Sequence, residues 1–232
     1  MLFVIRGAIF DFDGVIVDSH PVHLRAWRKF LDSVGKTVSE EQLHFVLDGR
    51  KREDILRHFM GAMEADQMTE YGLRKEQFFR DEAAHVRMAD GLLDFLENLQ
   101  SGQLALAVAS SGSKSRIHFL LDQFDLRKYF GVVVTGHEVE QGKPHPAVFL
   151  KAAYQLGMDS SDLVVFEDAV SGVKAARSAG TKCIGIAQPD AAPRLLAAGA
   201  NHVVPDFRSL SCSKLQELMT NAAGSNSIPA IH

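Results

Sequence analysis

Short apolar runs recur along the chain at 3–10, 104–109, 132–135, 163–166, 183–186 and 203–204. They are rich in β-branched and aromatic residues and lack polar alternation, the pattern of strands buried on both faces. Between them lie segments with helical periodicity at 92–100, 115–124, 146–156 and 170–179, the last stopped by Gly180. Strands alternating with helices predict an α/β fold built on a Rossmann-like parallel sheet.

One stretch, 21–86, breaks the alternation, with helix signal and almost no strand signal. His23, Trp27, Phe30, Leu31 and Val34 fall on one face of a helix that Gly35 ends, and further helices are expected over 53–61 and 70–86. The pattern predicts an all-helical cap inserted just after the first strand. The core would be 1–16 with 88–220, the cap 17–87, and the last dozen residues, 221–232, a disordered tail.

Composition narrows the class. The chain has 232 residues, 46% of them hydrophobic, enough for a sizeable core. A net charge of −4 without clustered basic residues argues against nucleic-acid or membrane-surface partners. Cys183 falls in an expected strand and Cys212 in a polar tail, so neither a disulfide framework nor a thiolate metal site is expected. The first apolar stretch is interrupted by Arg6 and then by acids, which suits neither a signal peptide nor a membrane span. A cytoplasmic enzyme, monomeric or weakly dimeric, is the expectation.

The candidate chemistry sits at the ends of the expected strands. Asp11-Phe12-Asp13-Gly14-Val15 closes the first, and in open α/β sheets ligands bind beyond the carboxyl ends of strands. A turn at Gly14 would swing Asp13 over Asp11; the plainer reading is an Asp-Gly turn with no further role. Ser110-Ser111-Gly112, Gly142-Lys143-Pro144 and Glu167-Asp168-Ala169 follow later strands in order. Taken singly, these are a helix N-cap or a solvated lysine; together they form a set. Carboxylates, a lysine and a serine suit a hard cation and a phosphate, with Mg²⁺ the natural ion. A carboxylate nucleophile would form an aspartyl-phosphate, while Mg²⁺, Lys143 and Ser110 offset phosphoryl charge.

The segments DFDGVIVDS, VASSG, GKPHP and FEDAVSGVKAARSAG closely resemble the four ordered motifs of the haloacid dehalogenase superfamily. The likeness runs to about Asp206 and is nearest the branch with a small helical cap, which holds β-phosphoglucomutases and sugar-phosphate phosphatases. It implies that Asp11 is the nucleophile and Asp13 the general acid/base, and that Ser110 and Lys143, with Ser111 and Gly112, hold the phosphoryl group. It further implies that Mg²⁺ is bound by Asp11, Asp168 and the Asp13 backbone carbonyl, with Glu167 supporting the metal shell. Members that act as dehalogenases or phosphonatases lack an acid at the Asp13 position, so neither activity is expected here. Lys51 is read as a surface charge.

In the cap, His23, Trp27 and Arg52 resemble the corresponding stretches of the mutases, where the histidine lies near the general acid and the arginine holds a distal phosphate. The plainer readings are a satisfied core histidine and an exposed arginine at a helix start. Lys75 is a further candidate for a substrate contact. Two departures point away from a mutase: a loop after Ser110 about two residues longer, and Ala169 where mutases carry a serine. The expected function is therefore a phosphatase acting on a small phosphorylated sugar or related metabolite, with a sugar phosphomutase as the alternative. A non-catalytic phospho-acceptor module, the remaining rival, has no place for an inserted cap and is roughly half this length.

Overall fold

The computed structural model describes residues 5–221. Residues 3 and 4 of the first expected strand and 222–232 of the expected tail lie outside the described residues. Strands β1 (Gly7–Phe10), β4 (Ala105–Ala109), β5 (Val132–Val134), β6 (Leu163–Glu167), β7 (Lys182–Ile186) and β8 (His202–Val204) form one sheet in the order β5-β4-β1-β6-β7-β8, and every pairing is parallel.

Side chains alternate across this sheet with a period of two. Ala8 and Phe10 face one apolar cluster with Phe95, Phe166 and Phe207; Ile9 faces another with Ala107, Val165 and Cys183. Phe10 stacks on Phe166 at 4.7 Å between ring centroids. Helices α5 (Leu92–Ser101), α6 (Lys114–Gln123), α7 (Ala147–Leu156), α8 (Val170–Ser178), α9 (Ala192–Ala198) and α10 (Cys212–Asn221) flank the sheet. Both faces are dry, which explains why the strands read as unbroken apolar runs.

The chain leaves the core through β2 (Val17–Asp18) and returns through β3 (Arg87–Met88), which pair antiparallel. Between them lie α1 (His20–Ser33), the short α2 (Glu40–Leu43), α3 (Arg52–Met60) and α4 (Ala65–Arg80), an inserted helical cap. Trp27, Phe30, Leu31, Ile55, Leu56 and Phe59 fill its centre. Its base is not separate, because Val22, Ala26, Phe79 and Ala83 join the same apolar cluster as Phe10.

Several expectations need correction. The helix placed at 70–86 begins at Ala65 and ends at Arg80, after which the chain tightens into a 3₁₀ turn, Ala83–His85. Phe79 and Ala83 stay buried across that break, so the apolar spacing runs through it. Helix α2 was not anticipated; at four residues it has no periodicity to read, and its signal is the Ser39/Gln42 capping box. Cys212 opens α10 rather than lying in a loose tail. No helix among the described residues is long and apolar enough to cross a membrane.

Phe10 is fully buried at the sheet centre and contacts rings from β6 and α5. Phe10→Ala should cost about 3–5 kcal/mol of stability, read as a lowered urea midpoint with an unchanged slope.

Candidate active site

The register of the sheet puts two acids side by side. Phe10 pairs with Phe166, so the next residues, Asp11 and Glu167, leave adjacent strand ends together. Lys143 inserts its ammonium between them, 2.5 Å from Asp11 Oδ1 and 2.6 Å from Glu167 Oε1. All three side chains are buried. Glu167 is fixed further by the backbone N–H groups of Asp168 and Ala169, which donate to its Oε2 at 2.8 and 2.9 Å. Any side chain at Gly172, on the first turn of α8, would collide with this carboxylate, so only glycine leaves it room.

Burial raises the Asp11 carboxyl to about 7, helped by the charges of Glu167 and Asp13 and opposed by Lys143. Burial would lower the Lys143 ammonium, but Asp11 and Glu167 overcome it and hold the lysine charged. One cation thus faces two buried acids, and burial raises both carboxyls against it.

After Asp11 the backbone turns. Gly14, at φ +80°, bonds its N–H to Val17 O at 2.8 Å and brings Asp13 into the same cleft. Arg116 grips Asp13 with both amino groups, at 2.6 and 2.8 Å. Ser19 Oγ donates to Asp13 Oδ1 at 2.6 Å, and His23 Nε2 lies 3.1 Å from the same oxygen. Burial would raise Asp13, yet Arg116 and His23 keep it well below the usual carboxylate range.

His23 is a bridge. Lys75 Nζ, a donor only when charged, sits 3.1 Å from His23 Nδ1. The ring therefore accepts at Nδ1 and donates from Nε2 to Asp13. Burial, then Lys75, pushes His23 down to about 3, and burial lowers Lys75 to about 8.

At the end of β4, Ser110 Oγ accepts the Gly112 N–H at 3.1 Å, leaving its own hydroxyl proton to donate elsewhere. Ser110, Ser111, Gly112, Asp11, Asp13, Asp168, His23, Arg52 and Lys75 all line one cavity between core and cap. Lys143 and Glu167 lie beneath its wall.

The structure adds contacts that the sequence does not announce. Ser111 donates its hydroxyl to Gly49 O in the cap at 2.7 Å and so ties the two parts together. Lys51 is no free surface charge, because its ammonium reaches Val139 O at 3.0 Å across the interface. Arg52 is largely buried, pairing with Glu53 at 2.9 Å and lying 3.6 Å from Glu76.

The expected metal set can be compared with the contacts each carboxylate makes. The Asp13 carboxylate is taken by Arg116, Ser19 and His23, and the Glu167 carboxylate by Lys143 and the backbone. Asp11 and Asp168 remain as side-chain oxygen donors on the cavity wall. Burial raises Asp168, and Asp11 adds to that rise against the hydrogen bond from His20, 3.1 Å away. That bond lifts His20 to about 9 despite its burial. No group of three or more His, Cys, Asp or Glu side chains converges as a metal cluster among the described residues. Two carboxylates on one wall, each engaged by its cation through a single oxygen, nevertheless fit a hard divalent cation that keeps several water or phosphate ligands.

Sequence reasoning missed Arg116, Ser19, His20 and Glu76. Ser19 and His20 directly follow the first acidic motif and could have been noticed. Arg116 and Glu76 sit on helices with no motif to mark them, and each finds its partner only through the fold.

A model of the haloacid dehalogenase-like hydrolase family matches residues 8–186. A phosphorylated carbohydrates phosphatase of Thermotoga maritima is 34% identical over 181 residues, covering 77% of this chain and 83% of its own. A β-phosphoglucomutase of Mycobacterium tuberculosis is 31% identical, with 89% and 91% covered. In structure, a β-phosphoglucomutase from Clostridium difficile superposes with a TM-score of 0.85 at 22% identity, over 95% of this chain and 100% of that one.

His23 generates a prediction. Folded, it binds its proton only near pH 3; unfolded, near 6.5. The unfolded chain holds more protons between those values, so stability rises with pH across that window. Urea midpoints should therefore rise more from about pH 5 to about pH 7 in wild type than in His23→Gln.

Proposed function

The chain belongs to the haloacid dehalogenase-like hydrolases, and on that premise we propose that it is a Mg²⁺-dependent phosphatase of a small phosphorylated sugar or related metabolite. The observation that carries this reading is one cavity wall holding Asp11, Asp13, Ser110 and Asp168, with Lys143 and Glu167 directly beneath. The named activity of one relative, a phosphorylated carbohydrates phosphatase, agrees with it.

In the first step an Asp11 carboxylate oxygen attacks phosphorus, the bond to the leaving oxygen breaks, and Asp13 gives that oxygen a proton. In the second, water attacks the aspartyl-phosphate, Asp13 takes the water's proton, and inorganic phosphate leaves with Asp11 restored. Ser110 donates its free hydroxyl proton to a phosphoryl oxygen, and Lys143 aims Asp11 and opposes the rise that burial imposes on its carboxyl. Asp11, Asp168 and the Asp13 carbonyl would hold Mg²⁺, which offsets charge on the phosphoryl oxygens. Arg116, Ser19 and His23 hold Asp13 as a carboxylate, the form the second step requires; protonation for the first requires one of these bonds to yield. The helical segment 17–87 serves as the cap over a core of 1–16 and 88–220, and its closure excludes water.

A sugar phosphomutase is the second reading, favoured by the His23–Lys75 pair beside Asp13 and by the mutase relative. Converting β-glucose 1-phosphate to glucose 6-phosphate, faster with a bisphosphate primer, would establish it; release of phosphate alone would exclude it.

Asp11→Asn should abolish phosphate release from a sugar-phosphate panel with Mg²⁺, and Asp13→Asn should lower it about 10²–10⁴-fold. Full activity in Asp11→Asn would overturn the mechanism.

A further inference from the structure

Among the described residues, four buried side-chain atoms lack any hydrogen-bond partner: Arg52 Nε, Glu76 Oε1, Ser113 Oγ and Arg116 Nε. All four residues line the cavity of Asp11 and Ser110. Arg52, Glu76 and Ser113 also border an adjoining cleft that Asp11 does not line, so they mark the part of the cavity where a substrate extends beyond its phosphate. Arg116 Nε lies 3.2 Å from Glu76 Oε1, close enough for charge attraction but not aligned for a hydrogen bond. Buried donors and acceptors are nearly always partnered in folded proteins. Two N–H donors, a carboxylate acceptor and a hydroxyl together are completed by a ligand bearing several hydroxyl groups, each able to donate and accept.

Charge decides which ligand. A second phosphate or a carboxylate here would need uncommitted cations, and the arginines lining the Asp11 cavity are matched, while Arg80, on the adjoining cleft, is exposed to solvent. Arg116 holds both oxygens of Asp13, Arg52 pairs with Glu53 at 2.9 Å, and Arg50 pairs with Asp48 at 2.9 Å. Lys75 is bonded to His23 and shares the attraction of Glu76. Glu76, which lines the cavity, is itself an anion whose Oε1 receives no hydrogen bond, with Arg116 3.2 Å from that oxygen and Arg52 3.6 Å from the other. Resting on the phosphatase reading, we infer that Glu76 is a specificity-determining residue that accepts a hydroxyl of a neutral polyol or sugar monophosphate and repels substrates carrying a second anionic group.

Glucitol 6-phosphate and 6-phosphogluconate test this directly, since they differ at one end by a hydroxymethyl against a carboxylate. Wild type should release phosphate from the former with a kcat/KM about 100-fold higher, and glucose 1,6-bisphosphate should be comparably poor. Glu76→Gln keeps the shape and removes the charge, so it should narrow the ratio about tenfold or more. Equal handling of the two by wild type, or an unchanged ratio in folded Glu76→Gln, overturns the inference. If that variant fails to fold, the wild-type ratio alone decides. Calorimetric binding of the same compounds to Asp11→Asn separates this from the reaction itself. An inactive wild type whose Asp11→Asn protein keeps the ranking overturns the hydrolysis but supports the ligand class; loss of the ranking overturns the ligand class.

Discussion

The Lys143 ammonium, enclosed between Asp11 and Glu167, is the contact on which the rest of the centre depends. A buried charge without partners is costly, and a carboxylate held dry beside another carboxylate favours its protonated form. The sheet register sets the two acids side by side, Gly172 gives Glu167 its space, and the lysine crosses from a loop to separate them. One ammonium is shared between two acids whose carboxyls burial raises, so the two remain crowded. A cation on the cavity side of Asp11, beside Asp168, would relieve that crowding.

Asp13 is held by a different logic. Its neighbour two residues back is fixed by core elements alone, whereas Asp13 is fixed jointly by core and cap: Arg116 comes from α6, Ser19 and His23 from the start of the cap. Lys75 and Glu76, from α4, extend that network to the far wall. Asp11 therefore keeps its contacts through any displacement of the cap, while Asp13 feels it.

Much of this was legible in the sequence, for identifiable reasons. The strand-end motifs carry short-range signals, a strand followed by Asp-Gly, Ser-Gly, Lys-Pro or Glu-Asp, and parallel topology gathers strand ends at one edge. The cap showed itself as a run of helical periodicity where a strand was due. Arg116 and Glu76 were not legible, because an ion pair between residues 103 apart leaves no local pattern, and an arginine near a helix start reads as solvated. Lys51 was misjudged for the same reason, since its partner is a backbone carbonyl across an interface, and the Ser111 bond to Gly49 O was equally hidden. The end of α4 was misread because buried Phe79 and Ala83 continue the spacing after the helix itself has stopped.

The paired strands Val17–Asp18 and Arg87–Met88 have a consequence for how such a chain can change over time. The inserted segment begins and ends at neighbouring points, so its length and fold are nearly free of the sheet's geometry, and loop-closure entropy grows only slowly with what is placed between those points. A lineage can lengthen, shorten or replace the insert and leave Asp11, Lys143 and Glu167 where they are. New substrate preference can thus arise without the reaction having to be reinvented.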